Sequence, residues 1–173
     1  NIHGTLNIVQ AAKELNIERV IHTSTSETYG TAQFVPISEN HPLVGQSPYA
    51  ASKIGADQIA LSFWRSFETP ISVIRPFNTY GPRMQINAGR VVSNFIVQAL
   101  KNKPLTVYGD GSQTRSFCYV SDLVDGMMRS MNSDEIGPIN IGNPNEFTII
   151  ELAELIKRKL NNKVDINFKD LPQ

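Results

Sequence analysis

Apolar residues recur at Leu6, Ile8, Val9, Ala11, Ala12 and Leu15, close to a helical period, and predict a helix over residues 4–15. "NIERVIHTST" then reads as a turn into a short buried strand, from about Arg19 to His22. That strand ends in a polar cluster, Thr23 to Glu27. A loop containing Pro36, Pro42 and Gly45 follows. "SPYAASKIGADQIALSFWRSF" predicts a long helix with Ser47 as N-cap and Pro48 in the first turn, where a missing N–H does no harm. The β-branched run "ISVIRPF" predicts a strand halted at Pro76.

Beyond Arg83 the pattern loosens through "MQINAGR". It then gives a helix "VVSNFIVQALKN", a strand "LTVYG", a turn "DGS", a strand "TRSFCYV" and a helix "SDLVDGMMRSMN". The remainder predicts a strand "INIG", a helix "TIIELAELIKRKLN" and a last strand "VDINF". In that helix Thr148, with Glu151 three residues on, forms a capping box. Strand, helix and strand with polar residues at the strand ends is the grammar of an open parallel sheet covered by helices. Such sheets bind ligands beyond the carboxyl ends of their strands, here Thr25–Glu27 and Asn78–Arg83. No repeat or low-complexity linker is evident, and a soft boundary falls near residues 78–90.

The 173 residues, 40% hydrophobic and 18% charged, suffice for one sizeable core, so one domain or one and a fraction is expected. Sixteen basic residues balance sixteen acidic ones without a long like-charge run, which gives no footprint for nucleic acid or an anionic membrane. A small molecule or a second copy of the chain is the expected partner. No apolar run approaches a membrane span and no signal peptide is seen. The single cysteine, Cys118, excludes an internal disulfide and a cysteine metal cluster, and reads as a small buried hydrophobe in a strand. It suits a reducing, cytoplasmic setting, and no metal site is expected. The chain opens inside a helical pattern without an initiator methionine and closes on an unfinished loop, so it is expected to begin in mid-protein.

The candidate chemistry starts with Tyr49 and Lys53. At i and i+4 they are neighbours on a helix surface, so the ammonium can favour the ionised phenol and make tyrosine a base. Most pairs at this spacing are a packed ring beside a solvated charge, and the pair alone does not establish catalysis. Three segments nevertheless put polar groups at one sheet edge. Thr25 can hydrogen-bond a substrate alcohol, Tyr49 can take its proton, and Lys53 can hold the phenolate while reaching a cofactor ribose.

"TSTSETYG", "SPYAASK", "RPFNTYGPR", "RVVSNFIVQAL", "PLTVYGDGSQTRSFCYVSDLVDG" and "GPINIGNPNEFTIIELAELI" resemble, in order and over almost the whole chain, the extended short-chain dehydrogenase/reductases that act on nucleotide sugars. The resemblance implies an α/β fold: the C-terminal part of a Rossmann-type doubly wound parallel sheet plus a smaller α/β substrate-binding lobe. Residues 1–82 would be a partial NAD-binding domain and 83–173 mainly the nucleotide-sugar lobe, some segments returning to the sheet. The family's Gly-rich pyrophosphate turn is missing, and "YGDGSQ" is not that fingerprint; roughly ninety residues would precede Asn1. The resemblance makes Tyr49 the base, Lys53 its partner and Thr25 the third member. It puts Pro76 and Phe77 beside the nicotinamide and Asn78 on the sugar diphosphate. Arg90 and Arg115 would bind phosphate or ribose, for which a planar guanidinium suits two oxygens at once. Tyr108 and Gln113 would line the uridine side. Asn1 matches a family asparagine but is assigned no catalytic part. A homodimer is implied through a four-helix bundle of residues 4–15 and 48–67.

All such relatives first oxidise C4 of a hexose carried on UDP or dTDP. A 4,6-dehydratase then needs an acid for the C6 hydroxyl and a base for the C5 proton, normally adjacent Asp and Glu. Here the pair is Ser26 and Glu27, and serine is a poor general acid at neutral pH. A decarboxylase needs no such acid, because a C6 carboxylate lies β to the new ketone. The Thr-Ser-Glu segment and the later segments most resemble UDP-glucuronate decarboxylases, whereas "GTAQFVPISENHPLVGQSPYAASKIGAD" resembles 4,6-dehydratases of UDP-N-acetylhexosamines. Decarboxylation is the favoured expectation, dehydration and 4-epimerisation are the alternatives, and an inactive fragment or dimerisation module is the non-enzymatic one.

Overall fold

The computed structural model describes residues 1–86, 89–161 and 163–171. In chain order it contains α1 (Ile2–Glu14), β1 (Val20–Thr23), a 3-10 turn (Ser26–Tyr29), α2 (Pro48–Phe67), β2 (Ile71–Pro76), β3 (Thr79–Tyr80) and α3 (Val91–Leu100). There follow β4 (Leu105–Tyr108), β5 (Thr114–Ser116), β6 (Cys118–Tyr119), α4 (Val120–Met131), β7 (Pro138–Ile141), β8 (Glu146–Thr148), α5 (Ile149–Lys159) and β9 (Ile166–Lys169). These make two compact units, residues 1–79 with 121–142 and residues 80–120 with 143–173.

The first unit is built on a parallel sheet in the order β1-β2-β7. Val20 to Thr23 pair with Ile71 to Ile74, and Val73 to Pro76 pair with Pro138 to Ile141. β2 is central and buried from Ile71 through Arg75. That burial on both faces explains its nearly continuous apolar run. Ile71 and Val73, two residues apart and therefore on one face, pack with Val9 of α1 and with Ala60 and Leu61 of α2. Arg75 falls two residues further along that face. On β7, Gly126 of α4 has Ile141 so close that an added Cβ would lie 3.0 Å from it, so the missing side chain lets α4 approach the strand. The α/β class expected from the sequence, part of a doubly wound parallel sheet, is the class observed.

In the second unit α3 and α5 cover β4, and Phe95, Ala99, Leu105, Val107 and Ala153 form the centre of an apolar core. β4 pairs with β9 in parallel and β5 with β8 antiparallel. α5 is capped as its sequence predicts. The Thr148 hydroxyl accepts from the Glu151 N–H at 3.1 Å, while the Glu151 carboxylate accepts from the Thr148 N–H at 2.8 Å. Both Thr148 bonds, the backbone one first, hold the Glu151 carboxyl below its ordinary value.

Several local expectations change. "TRSFCYV" is not one strand: β5 stops at Ser116, β6 holds Cys118 and Tyr119, and Val120 already begins α4. Cys118 is buried in β6. β1 starts and ends one residue later than expected, and its polar tail becomes the 3-10 turn. The loop expected over "MQINAGR" includes residues 87 and 88, which lie outside the described residues. Among the described residues, no helix is long and apolar enough to cross a membrane.

Candidate active site

α2 begins where the sequence says it should. The Ser47 hydroxyl accepts from the Ala50 N–H at 3.0 Å, and Pro48 occupies the first turn. This fixes the helix start one residue before Tyr49, so Tyr49 lies in the first turn and Lys53 one turn later. Tyr49 is half exposed and Lys53 half-buried. The Lys53 ammonium donates to the Thr23 carbonyl at 2.8 Å, which pins it to the last residue of β1. An ammonium carries three donors, so two remain for other oxygens. The Asn1 side-chain amide donates to the Ser52 hydroxyl at 2.8 Å, on the same stretch of α2.

Two residues past Thr23, Thr25 is the N-cap of the 3-10 turn, against which α2 packs. Its hydroxyl oxygen accepts from the Glu27 N–H at 3.2 Å and its carbonyl accepts from the Thr28 hydroxyl at 2.8 Å. Side-chain capping of this kind competes with strand extension, which is why the polar tail of β1 turns instead of running on. The Thr25 hydroxyl proton has no acceptor among the described residues, leaving it available to a substrate oxygen. Ser26 is half-buried and Glu27 exposed on the turn. Gly30 ends it at φ +66, where a Cβ would come within 2.8 Å of the Val44 carbonyl oxygen, so both the conformation and the space call for glycine. The structure therefore brings Lys53 of α2 to the carboxyl end of β1, where the turn carries Thr25, Ser26 and Glu27, with Tyr49 one helical turn before Lys53. Half-buried Pro76 ends the neighbouring β2, and half-buried Phe77 and exposed Asn78 follow it.

Behind this edge lies a cluster the sequence reading missed. Arg75 and Asp57 are both essentially inaccessible to solvent, and the guanidinium Nε and Nη2 each lie 3.1 Å from Asp57 Oδ2. Arg75 Nη1 donates to the Tyr29 hydroxyl at 2.9 Å, and that hydroxyl donates to Asn140 Oδ1 at 2.7 Å. His22 Nε2 stands 3.2 Å from Asp57 Oδ1, off the line of a well-formed hydrogen bond. The available signal was an acid inside "IGADQIALSFW" and an arginine inside "ISVIRPF", two opposite charges stranded in apolar runs. Buried charges are paired or neutralised, so each implied a partner.

The remaining candidates lie in the second unit. Tyr108 and Gln113 meet across the turn that ends β4, where the Gln113 amide donates to the Tyr108 carbonyl at 2.9 Å. Within that turn Asp110 accepts from the Ser112 hydroxyl and then its N–H, which hold its carboxyl below the ordinary value. Arg115 lies in the short β5 and not in the single strand expected over "TRSFCYV". β5 is an exposed ribbon, and the Arg115 guanidinium donates to the Thr114 carbonyl. Arg90 is exposed at the N-cap position of α3 and its side chain makes no capping bond.

Comparison with known proteins places the chain in a family. The family model described as GDP-mannose 4,6 dehydratase matches residues 1–171. The chain belongs to the GDP-mannose 4,6 dehydratase family. A family relative, UDP-glucuronic acid decarboxylase 5 of Arabidopsis thaliana, is 49% identical over 97% of this chain and 50% of its own length. Among solved structures, UDP-N-acetylglucosamine 4-epimerase from Methanobrevibacter ruminantium superposes with a TM-score of 0.96 at 33% identity, over 99% of this chain and 56% of that one. UDP-glucuronic acid 4-epimerase from Bacillus cereus, solved with UDP-glucuronic acid and NAD, gives 0.88 at 31% identity, over 99% and 55%. The chain thus spans about half the length of the curated relatives it matches.

Proposed function

We propose that this chain supplies the catalytic residues of an NAD-dependent UDP-glucuronate decarboxylase. One observation carries the reading. Lys53, pinned to the Thr23 carbonyl, sets the Tyr49 helix beside a Thr-Ser-Glu turn, in a chain 49% identical to a UDP-glucuronic acid decarboxylase.

The residues present fit the reactive end of a nicotinamide dinucleotide. Tyr49 offers a half-exposed phenol, and Lys53 keeps two donors for ribose hydroxyls. Pro76 and Phe77 would border the nicotinamide. NAD, when bound, supplies the acceptor for the hydrogen that leaves C4 with its electron pair. Tyr49, as phenolate, takes the proton of the C4 hydroxyl while Thr25 donates to the same oxygen and the Lys53 ammonium stabilises the phenolate. The C5–C6 bond of the resulting β-keto acid then breaks, CO2 departs, and the electron pair passes to an enolate whose oxygen receives hydrogen bonds from Tyr49 and Thr25. Ser26 adds no charge beside the sugar carboxylate and no acid strong enough to expel a hydroxyl. Glu27 stands by as the exposed carboxylate of the turn. In the second unit Arg90 and Arg115 bind phosphate or ribose and Tyr108 and Gln113 line the uracil, with Asn78 on the diphosphate.

The same reading makes the enzyme a homodimer. α1 and α2 pack together and leave Ile8, Leu15 and Phe67 exposed, which suits a four-helix bundle with a second copy. The free thiol of Cys118 suits the cytoplasm.

The test offers the full-length protein, with NAD, UDP-glucuronate and UDP-N-acetylglucosamine in parallel, and identifies products by mass and by the proton NMR of the sugar ring. Loss of CO2 from the first is the expected result. Loss of water from the second would make it a dehydratase, an epimer without change of mass an epimerase, and each would overturn decarboxylation.

A further inference from the structure

Three pieces of the candidate active site arrive from different parts of the first unit: the 3-10 turn with Thr25, Ser26 and Glu27, helix α2 with Tyr49 and Lys53, and the end of β2 leading to Pro76, Phe77 and Asn78. Each piece sends one side chain inward, and these side chains meet. Tyr29 closes the 3-10 turn, Asp57 lies one helical turn beyond Lys53, and Arg75 is the residue before Pro76. Arg75 bonds both others, through Nε and Nη2 to Asp57 at 3.1 Å and through Nη1 to Tyr29 at 2.9 Å. All three are at most 2% exposed. The Tyr29 hydroxyl passes the chain on to Asn140 of β7, whose amide donates to the Ile37 carbonyl at 3.0 Å and whose backbone N–H donates to Glu39 at 2.8 Å. His22, the neighbour of the Thr23 that holds Lys53, faces the other oxygen of Asp57.

We propose that Tyr29, Arg75 and Asp57 form a buried positioning network that holds the Thr25–Glu27 turn, the Tyr49–Lys53 helix and the β2 end in one register. A guanidinium is suited to this work, because its planar fork fixes direction as well as distance to each partner. Aliphatic contacts between the same elements would tolerate a slip along the helix, whereas the fork does not. None of the three touches substrate or cofactor in this account. They act through the Lys53–Thr23 bond and through the conformation of the turn. The proposal rests on the C4 oxidation assigned above, but not on the step that follows it.

The decisive experiment measures kcat and kcat/KM against pH for the full-length wild type, Tyr29→Phe and Asn140→Ala, following C4 oxidation with whichever nucleotide sugar the wild type turns over. Tyr29→Phe takes one hydroxyl from the centre of the network. Asn140→Ala loosens Tyr29 from β7 while leaving the Arg75–Asp57 pair intact, and so serves if Tyr29→Phe fails to fold. Ser72→Ala, which removes a buried hydroxyl bonded to the Glu135 carbonyl and outside the network, is the control. The expected result is a fall in kcat of about tenfold to a hundredfold, within the contribution of a well-placed base, with KM for the sugar within about twofold. A Lys53 held less well stabilises the phenolate less, so the limb that reports the base should move to higher pH in Tyr29→Phe and Asn140→Ala and stay in place in Ser72→Ala. A variant that merely unfolds in part lowers kcat without moving that limb. An unshifted limb in both network variants, or an equal shift in Ser72→Ala, overturns the proposal. Wild type that oxidises no nucleotide sugar overturns the functional reading on which it rests.

Discussion

The first unit buries Arg75, Asp57, Tyr29, Thr28 and Ser72 around its central strand, whereas the second is centred on Phe95, Ala99, Leu105, Val107 and Ala153. Both units carry a parallel strand pair. They differ in what they must hold. Tyr49 and Lys53 lie on α2 and Thr25 on the 3-10 turn of the first unit, and the proton transfer proposed above demands Tyr49 and Thr25 within hydrogen-bond reach of one substrate oxygen. The second unit offers Arg90, Tyr108, Gln113 and Arg115 from its surface, where backbone turns and caps set them and the core only has to be full. Apolar packing gives stability with some latitude in position. A buried polar network gives direction, at the risk of a large penalty if one member is lost.

That contrast can be broken from either side. Asp57→Ala leaves the Arg75 guanidinium without its counter-ion in a site closed to solvent, and should cost about 3–5 kcal/mol. Chemical denaturation of the full-length protein measures it, and a loss under about 1 kcal/mol would show that water reaches the pair. Leu105→Ala removes a fully buried side chain from the apolar core of the second unit and should cost about 2–5 kcal/mol. The kcat of the folded fraction should be retained there, in contrast to substitutions in the first unit's network. Thr148→Ala removes the cap of α5, for about 1 kcal/mol.

The smallest expected effect is one of pH. The carboxyl of Glu151 is held below its ordinary value by the Thr148 N–H and hydroxyl, so the folded state binds its proton more weakly than the unfolded chain does. Its contribution is complete above the unfolded carboxylate value and is lost as pH falls through the lowered folded value. The melting temperature of Glu151→Gln should therefore lie below wild type at neutral pH and converge with it on acidification. A gap that widened with acid would contradict the cap geometry.

Features that repeat along the chain or follow local chemistry were legible in the sequence. Ser47 with Pro48 and Thr148 with Glu151 marked two helix starts because capping is a matter of a few neighbouring residues. "ISVIRPF" declared itself as a strand through its β-branched run. The 3-10 turn did not, because four residues show no period and Thr25 could as well have ended a strand. Asp57 and Arg75 were legible one at a time as misplaced charges, but the bond between them joins residues far apart in sequence, and only the register of β2 against α2 brings them together. The strand around Arg115 was drawn too long because "TRSFCYV" looks like one strand. The break at Phe117 separates an exposed ribbon from the buried Cys118.

Tyr49→Phe in the full-length protein tests the central claim most directly, with NAD reduction followed by absorbance after mixing with UDP-glucuronate and sugar binding measured separately. C4 oxidation should fall by about 10²–10⁴, with binding of UDP-glucuronate unchanged. Oxidation at the wild-type rate would remove Tyr49 from the chemistry, and with it the assignment of Lys53 and Thr25.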